Sequence, residues 1–256
     1  MKIKFIGTSS GKVSLHRYHT SFIILSEKFN LLVEAGDGIS KALLASKITF
    51  DQIDGILFSH LHPDHYSGIT ALIVQMKLIN RTKVLRIFIH KELSAALKYY
   101  IYSSYLFDER MGFEIKYVEF EHDQEIKVSR EINFISRQNS HLNQYLKYDK
   151  EKKLNFICSS FFFNLKKKSV FYTGDIGSVN DLYLFRDRDI HMMICETAHL
   201  EMQALFNVVM DLGIHEVFLI HFDDEVQSNL ELWKNSLSEK IRDKFIIAYD
   251  DLSVLI

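Results

Sequence analysis

The run Ser59-His60-Leu61-His62-Pro63-Asp64-His65 places three imidazoles and one carboxylate within six residues. Neutral imidazole nitrogen and carboxylate oxygen are donors that suit Zn²⁺ and also accept Mn²⁺ or Fe²⁺. The apolar stretch Ile56-Leu57-Phe58 before the run reads as a strand, and Ser67-Gly68 follow it. The donors therefore gather where a strand hands over to a loop. His60 and His62 stand two apart, so extended backbone points both rings the same way. Pro63 turns the chain after them, and the turn lets Asp64 and His65 face a second point nearby. The chain holds 12 histidines, yet this density within one segment is that of a metal site.

A two-metal centre needs more donors, and three stand at the ends of strand-like runs. His141 follows residues 131–136, Asp175 follows 169–173, and His221 ends Val217-Phe218-Leu219-Ile220. Gly174, beside Asp175, permits close backbone approach. A carboxylate can bridge two cations and hold them about 3.5–4 Å apart, as two-metal hydrolases require. Asp175 suits that part.

The elements that must carry these donors alternate along the chain. Residues 22–25 and 31–34 read as a hairpin, 39–46 as a short helix and 53–59 as the strand feeding the cluster. Residues 69–79 and 92–106 have helical length or spacing, and 84–89, 113–120 and 125–136 read as strands. In the second half, 154–165 and 169–173 form a hairpin around Lys166-Lys167-Lys168. Strands at 190–195 and 216–220, helices at 200–212 and 229–241, and a closing strand at 245–249 complete the reading. This order suggests two packed sheets with helices outside.

Composition narrows the function classes. A chain of 256 residues with 47% hydrophobic and 25% charged residues buries a substantial core. Its net charge of −2 supplies no global field for nucleic acid. No apolar run approaches the roughly 18 residues of a membrane span, and the alternating Met1–Ile6 segment lacks a signal-peptide core. Cys158 and Cys195 lie in apolar runs, which predicts free buried thiols and a cytoplasmic setting.

The pattern His60-x-His62-x-Asp64-His65, then His141, Asp175 and His221, resembles the metallo-β-lactamase superfamily motifs in order. Phe5-Ile6-Gly7-Thr8 and Ile246-Ile247-Ala248-Tyr249-Asp250 are similar to its first and last strands. The resemblance covers essentially the whole chain. It implies an α/β fold (α+β in some schemes), a four-layer αβ/βα sandwich forming one domain over residues 1–256. It also implies two divalent metal ions, with Zn²⁺ first and Mn²⁺ or Fe²⁺ as substitutes. By the same resemblance one ion takes His60, His62 and His141, the other takes Asp64, His65 and His221, and Asp175 bridges them.

His199, in Glu196-Thr197-Ala198-His199-Leu200, stands 22 residues before His221. The phosphodiesterase branch typified by ribonuclease Z carries a non-ligand histidine at that spacing. The resemblance implies a hydroxide held by the cations that attacks phosphorus, with His199 as general acid and Asp64 as both ligand and base. Glu196 either orients His199 or a ligand, or caps the following helix. Arg17, after Thr8-Ser9-Ser10-Gly11, occupies the place of a phosphate-binding arginine in that branch.

Two departures bear on the substrate. Ribonuclease Z has a Gly/Pro-rich tRNA arm between its third and fourth motifs, whereas residues 142–174 hold no Pro and only Gly174. His221 is followed by Phe222-Asp223-Asp224-Glu225, and three carboxylates repel a polyanion. The sequence therefore predicts a phosphodiesterase for a small or cyclic phosphodiester. The competing readings are a ribonuclease Z-like RNA 3′-processing endonuclease and a lactone, thioester or β-lactam hydrolase. A homodimer is left open: Phe161-Phe162-Phe163 suits either a partner face or a core, and Tyr99, Tyr100, Tyr102 and Tyr105 suit either a pocket or a helix packed on a sheet.

Overall fold

Lys2-Ile3-Lys4-Phe5 alternates charge with apolar bulk. The computed structural model, which describes residues 1–256, extends it as strand β1 (Lys2–Gly7) with Ile3 and Phe5 turned into a core. The chain divides into two compact units, Met1–Glu121 with Tyr249–Ile256, and His122–Ala248.

In the first unit β1 is followed by β2 (Ser21–Leu25), β3 (Leu31–Val33), helix α1 (Ile39–Ala45) and β4 (Gly55–Leu57). Helices α2 (Pro63–Tyr66) and α3 (Ile69–Leu78), strand β5 (Leu85–His90), helix α4 (Lys91–Ser103) and strand β6 (Ile115–Phe120) complete the run. The sheet order is Ser253–Leu255, β1, β2, β3, β4, β5, β6. Pairing is antiparallel as far as β3 and parallel from β3 to β6. The parallel strands β3 and β4 are buried at every residue, which is why they read as unbroken apolar runs.

The second unit holds β7 (Glu125–Lys127), β8 (Ile132–Gln138), β9 (Ser159–Leu165), β10 (Lys168–Tyr172) and β11 (Met192–Glu196). Then come α5 (Met202–Asp211), β12 (Glu216–Ile220), α6 (Asp224–Ser236), α7 (Glu239–Arg242) and β13 (Phe245–Ile247). Its sheet runs β13, β12, β11, β10, β9, β8, β7, parallel from β13 to β10 and antiparallel from β10 to β7. Phe162, Phe171, Phe185, Leu205 and Phe245 anchor its core. Phe161, Phe162 and Phe163 are all buried within this unit, so the triple-Phe run packs a core and is no exposed partner face.

The two sheets thus share one plan, half antiparallel and half parallel, without a shared sequence. Several expected elements differ in extent. Residues 125–136 form a hairpin, β7 and β8, because Val128 and Ser129 turn back onto Ile132. The segment before β9 is not strand until Ser159. The helix expected at 229–241 starts earlier, at Asp224, and breaks between Ser236 and Glu239. The strand expected at 245–249 stops at Ile247, and the last strand of the chain is Ser253–Leu255, which pairs with β1.

Candidate functional site

Within the first unit, Phe58 and Ser59 leave β4, and His62 caps the amino end of α2, with Pro63 at the first helical position. Proline is preorganised for that place, where its missing N–H costs nothing. The His60 ring centroid lies 4.6 Å from that of His62 and 4.3 Å from that of His65. His60 and His65 are fully buried. Asp64 Oδ2 stands 3.4 Å from His65 Nε2.

The backbone around the cluster is fixed by close packing. Ala35 N–H donates to the His65 carbonyl, and Gly68 N–H donates to the Ala35 carbonyl. A Cβ on Gly36 would lie 1.8 Å from the Asp64 carbonyl oxygen, so only glycine fits there. Ser59 Oγ and His60 Nδ1 are hydrogen-bonded at 2.9 Å, which sets the orientation of that ring. Tyr100 donates its hydroxyl to the Ser67 carbonyl at 2.8 Å, tying α4 to the end of the cluster, whereas Tyr99, Tyr102 and Tyr105 are exposed.

Glu34 is the residue that sequence reasoning passed over. It ends the apolar run Leu31-Leu32-Val33 with a fully buried carboxylate, in left-handed backbone at φ 63°. Its oxygens accept the Ser59 N–H at 3.2 and 3.3 Å, and Oε1 faces His65 Nδ1 at 3.6 Å. The signal was available: a lone acid closing a buried apolar run needs a partner.

Arg17 Nη1 donates to Thr8 Oγ1 at 2.6 Å, and Thr8 in turn donates to Asp250 Oδ1 at 2.8 Å. Asp250 Oδ2 also accepts the Tyr18 N–H. Burial pushes the Asp250 carboxyl above the usual carboxylate range, and these donors with the Arg17 charge oppose that push.

Within the second unit, the donors arrive from separate strands. His141 follows β8 at the start of a 3₁₀ turn (His141–Tyr145), Asp175 follows β10, and His221 follows β12. Asp175 presents Oδ2 to His141 Nε2 at 3.7 Å and Oδ1 to His221 Nε2 at 3.4 Å. All three are at least 97% buried. His221 also adopts left-handed backbone, at φ 57°. Burial holds the His141 imidazole below the usual range, in the neutral form that a cation requires.

His199 stands beside both imidazoles, 5.0 Å from the His141 ring and 6.0 Å from the His221 ring. Glu196 Oε1 holds His199 Nδ1 at 3.0 Å and also accepts the Ile176 N–H, while Oε2 accepts the His199 N–H. Helix α5 is capped at Glu201 instead, so Glu196 orients His199 and does not cap that helix. Glu196, His199 and His221 offer ligand atoms within 4.8 Å of one another.

The donor spacings distinguish a coordination shell from a hydrogen-bond network. Separations of 3.4 to 3.7 Å between ring nitrogen and carboxylate oxygen exceed the ~2.7–3.2 Å of a hydrogen bond. Two donors each about 2.0–2.2 Å from a tetrahedral ion lie roughly 3.3–3.6 Å apart. Each of these three donor pairs therefore stands near the spacing of two ligands on a divalent cation.

Comparison with known proteins agrees with this architecture. A family model described as the anti-Pycsar protein Apyc1 matches residues 1–236. Ribonuclease Z of Saccharolobus islandicus (strain L.S.2.15 / Lassen #1) is 28% identical over 130 residues, covering 50% of this chain and 43% of that protein. The chain thus spans less than half the length of this curated relative. The crystal structure of the metallo-β-lactamase fold protein YhfI from Bacillus subtilis superposes with a TM-score of 0.76 at 17% identity, covering 99% of this chain and 98% of that one. Human tRNase Z, short form, superposes with a TM-score of 0.73 at 16% identity, covering 100% and 99%. These likenesses establish the metallo-β-lactamase fold. No helix is long and apolar enough to cross a membrane.

Proposed function

We propose that this chain, which belongs to the family of the anti-Pycsar protein Apyc1, is a dinuclear metal-dependent phosphodiesterase acting on a small or cyclic phosphodiester. His60, His62 and His141 would hold one ion, and Asp64, His65 and His221 the other, with Asp175 shared. The family match runs through both units, which supports reading residues 1–256 as one domain. The observation that carries the proposal is the Asp175 carboxylate, with an imidazole facing each of its two oxygens at coordination spacing. Zn²⁺ is the first choice of ion for these donors, and cytoplasmic residence accords with the two free buried cysteines.

The bound cations supply Lewis-acid activation of water and neutralise charge on the phosphate oxygens. The chain's own residues do the rest. Glu196 accepts the Nδ1–H of His199 and fixes the ring plane, so the Nε2 proton is the one delivered to the leaving alkoxide. Asp64 orients the attacking water and takes its proton. Arg17 presents a guanidinium for a phosphate oxygen.

Asp223 caps α6, and Asp224 and Glu225 occupy its first turn, where the helix dipole favours acids. Beside His221 they also form a negative rim that disfavours a long polyanion. One observation favours the second reading, RNA 3′ processing. The 17 residues 142–158 precede β9 without forming strand, so hairpin strands do not consume the interval as the sequence suggested. They carry Lys147, Lys150, Lys152 and Lys153 with exposed Tyr148.

The deciding experiment combines metal analysis with a substrate panel. Purified protein should hold two equivalents of zinc and hydrolyse a cyclic nucleotide with kcat/KM above that for bis-p-nitrophenyl phosphate, chromogenic esters or precursor tRNA. Absence of bound metal defeats the proposal. Steeply salt-dependent tRNA cleavage as the dominant activity replaces it with the RNA reading.

A further inference from the structure

Asp181 lies in the 3₁₀ turn Val179–Tyr183, where its side chain accepts the N–H of Ser178, the cap of that turn, at 3.1 Å. Capping requires no more than that bond. The same carboxylate accepts three further donors. It takes the Gly177 N–H at 2.9 Å, the Ser140 N–H at 3.1 Å and the Ser140 hydroxyl at 2.7 Å. Ser140 is 41 residues away in sequence and immediately precedes His141. Gly177 stands two residues after Asp175. One carboxylate, 94% buried, therefore clasps the loop that carries His141 to the loop that carries Asp175.

The clasp closes at van der Waals limits. A Cβ on Gly177 would lie 2.4 Å from the Ser140 carbonyl oxygen and 2.6 Å from its hydroxyl. The loops meet again where His141 Nδ1 faces the Ile176 carbonyl at 3.4 Å, and where Asn139 Nδ2 donates to the Thr173 carbonyl at 3.3 Å. Each partner of Asp181 is a donor, so the site calls for an acceptor with no N–H of its own. An aspartate meets that demand, and an asparagine would turn an NH₂ group toward one of the donors.

We infer that Asp181 is a positioning residue for the metal centre: it sets the separation between His141 Nε2 and Asp175 Oδ2 at the value a shared cation needs. The inference rests on the proposed metal ligation. Metal-ligand supports of this kind typically change metal affinity about 10–100-fold when lost.

The test compares wild type with Asp181→Asn, Ser140→Ala and Gly177→Ala in the full chain. Zinc affinity is read by competition with a chromophoric chelator, and ligand geometry by the visible spectrum of the Co²⁺-loaded protein. Wild type should bind zinc; a wild type that binds none defeats the metal reading itself, not only the clasp. Asp181→Asn should weaken zinc binding about 10–100-fold and alter the Co²⁺ band pattern, while Ser140→Ala, which loses one hydrogen bond, should weaken it several-fold. Gly177→Ala, which pries the loops apart without touching the carboxylate, should resemble Asp181→Asn. A folded Asp181→Asn with wild-type zinc affinity and Co²⁺ spectrum overturns the inference. Should Asp181→Asn fail to fold, wild-type affinity and spectra in both other variants overturn it.

Discussion

The two units deliver their candidate metal donors by opposite routes. In the first, His60, His62, Asp64 and His65 come from one strand-to-helix passage, and a proline-started turn sets their geometry. In the second, His141, Asp175 and His221 come from the ends of β8, β10 and β12, and only sheet register brings them together. The first arrangement is local and tolerates little change in its own backbone. The second is distributed and depends on side chains that link one loop to the next, notably Glu196 and Asp181. The same chemistry can therefore be encoded once as a motif and once as a topology.

This contrast makes predictions that differ in size. Asp175→Ala should cost the most, lowering kcat/KM by far more than the roughly 100-fold ceiling for supporting residues and reducing bound zinc. Metal analysis and steady-state kinetics check this, and full zinc retention would show that the distributed set is dispensable. His199→Ala should lower kcat by about 10²–10⁴-fold, the range for a positioned general acid, with zinc content unchanged. Parallel zinc and kcat measurements separate it from the ligand variants, and a loss of metal would move His199 into the ligand set.

Gly36→Ala probes the local set. Its added methyl collides with the Asp64 carbonyl, so thermal melting should report a loss of about 1–3 kcal/mol, the usual cost of overpacking. An unchanged melting temperature would mean that the cluster's backbone is softer than its packing implies. Arg17→Lys should have the smallest effect. It should raise KM for a phosphodiester a few-fold with kcat little changed, because an ammonium cannot reproduce the planar fork.

What could be read from the sequence follows the same division. The cluster at 60–65 was legible because its geometry is local: spacing of two in extended chain, then a proline turn. Asp175 and His221 were legible as polar residues closing apolar strands. The role of Glu196 was not, since a residue three positions before His199 can either cap a helix or hold the ring, and only the location of the cap at Glu201 decides between them. Asp181 left no trace at all, because its partner Ser140 lies across a sheet register that no short window contains. Among the elements, the turn between β7 and β8 was missed because Ser129-Arg130-Glu131 contains neither Gly nor Pro. The strand at Ser253–Leu255 is three residues long and partly exposed, below what periodicity can resolve.

Glu34 and His221, one in each unit, both hold left-handed backbone although neither is glycine. Such a residue carries a penalty of about 1–2 kcal/mol relative to its ordinary conformation. Glycine would relieve that penalty at either position but would remove the Glu34 carboxylate or the His221 imidazole. Variants chosen purely for thermal robustness should therefore drift toward inactivity at positions 34 and 221, so heat resistance and turnover pull this chain in opposite directions there.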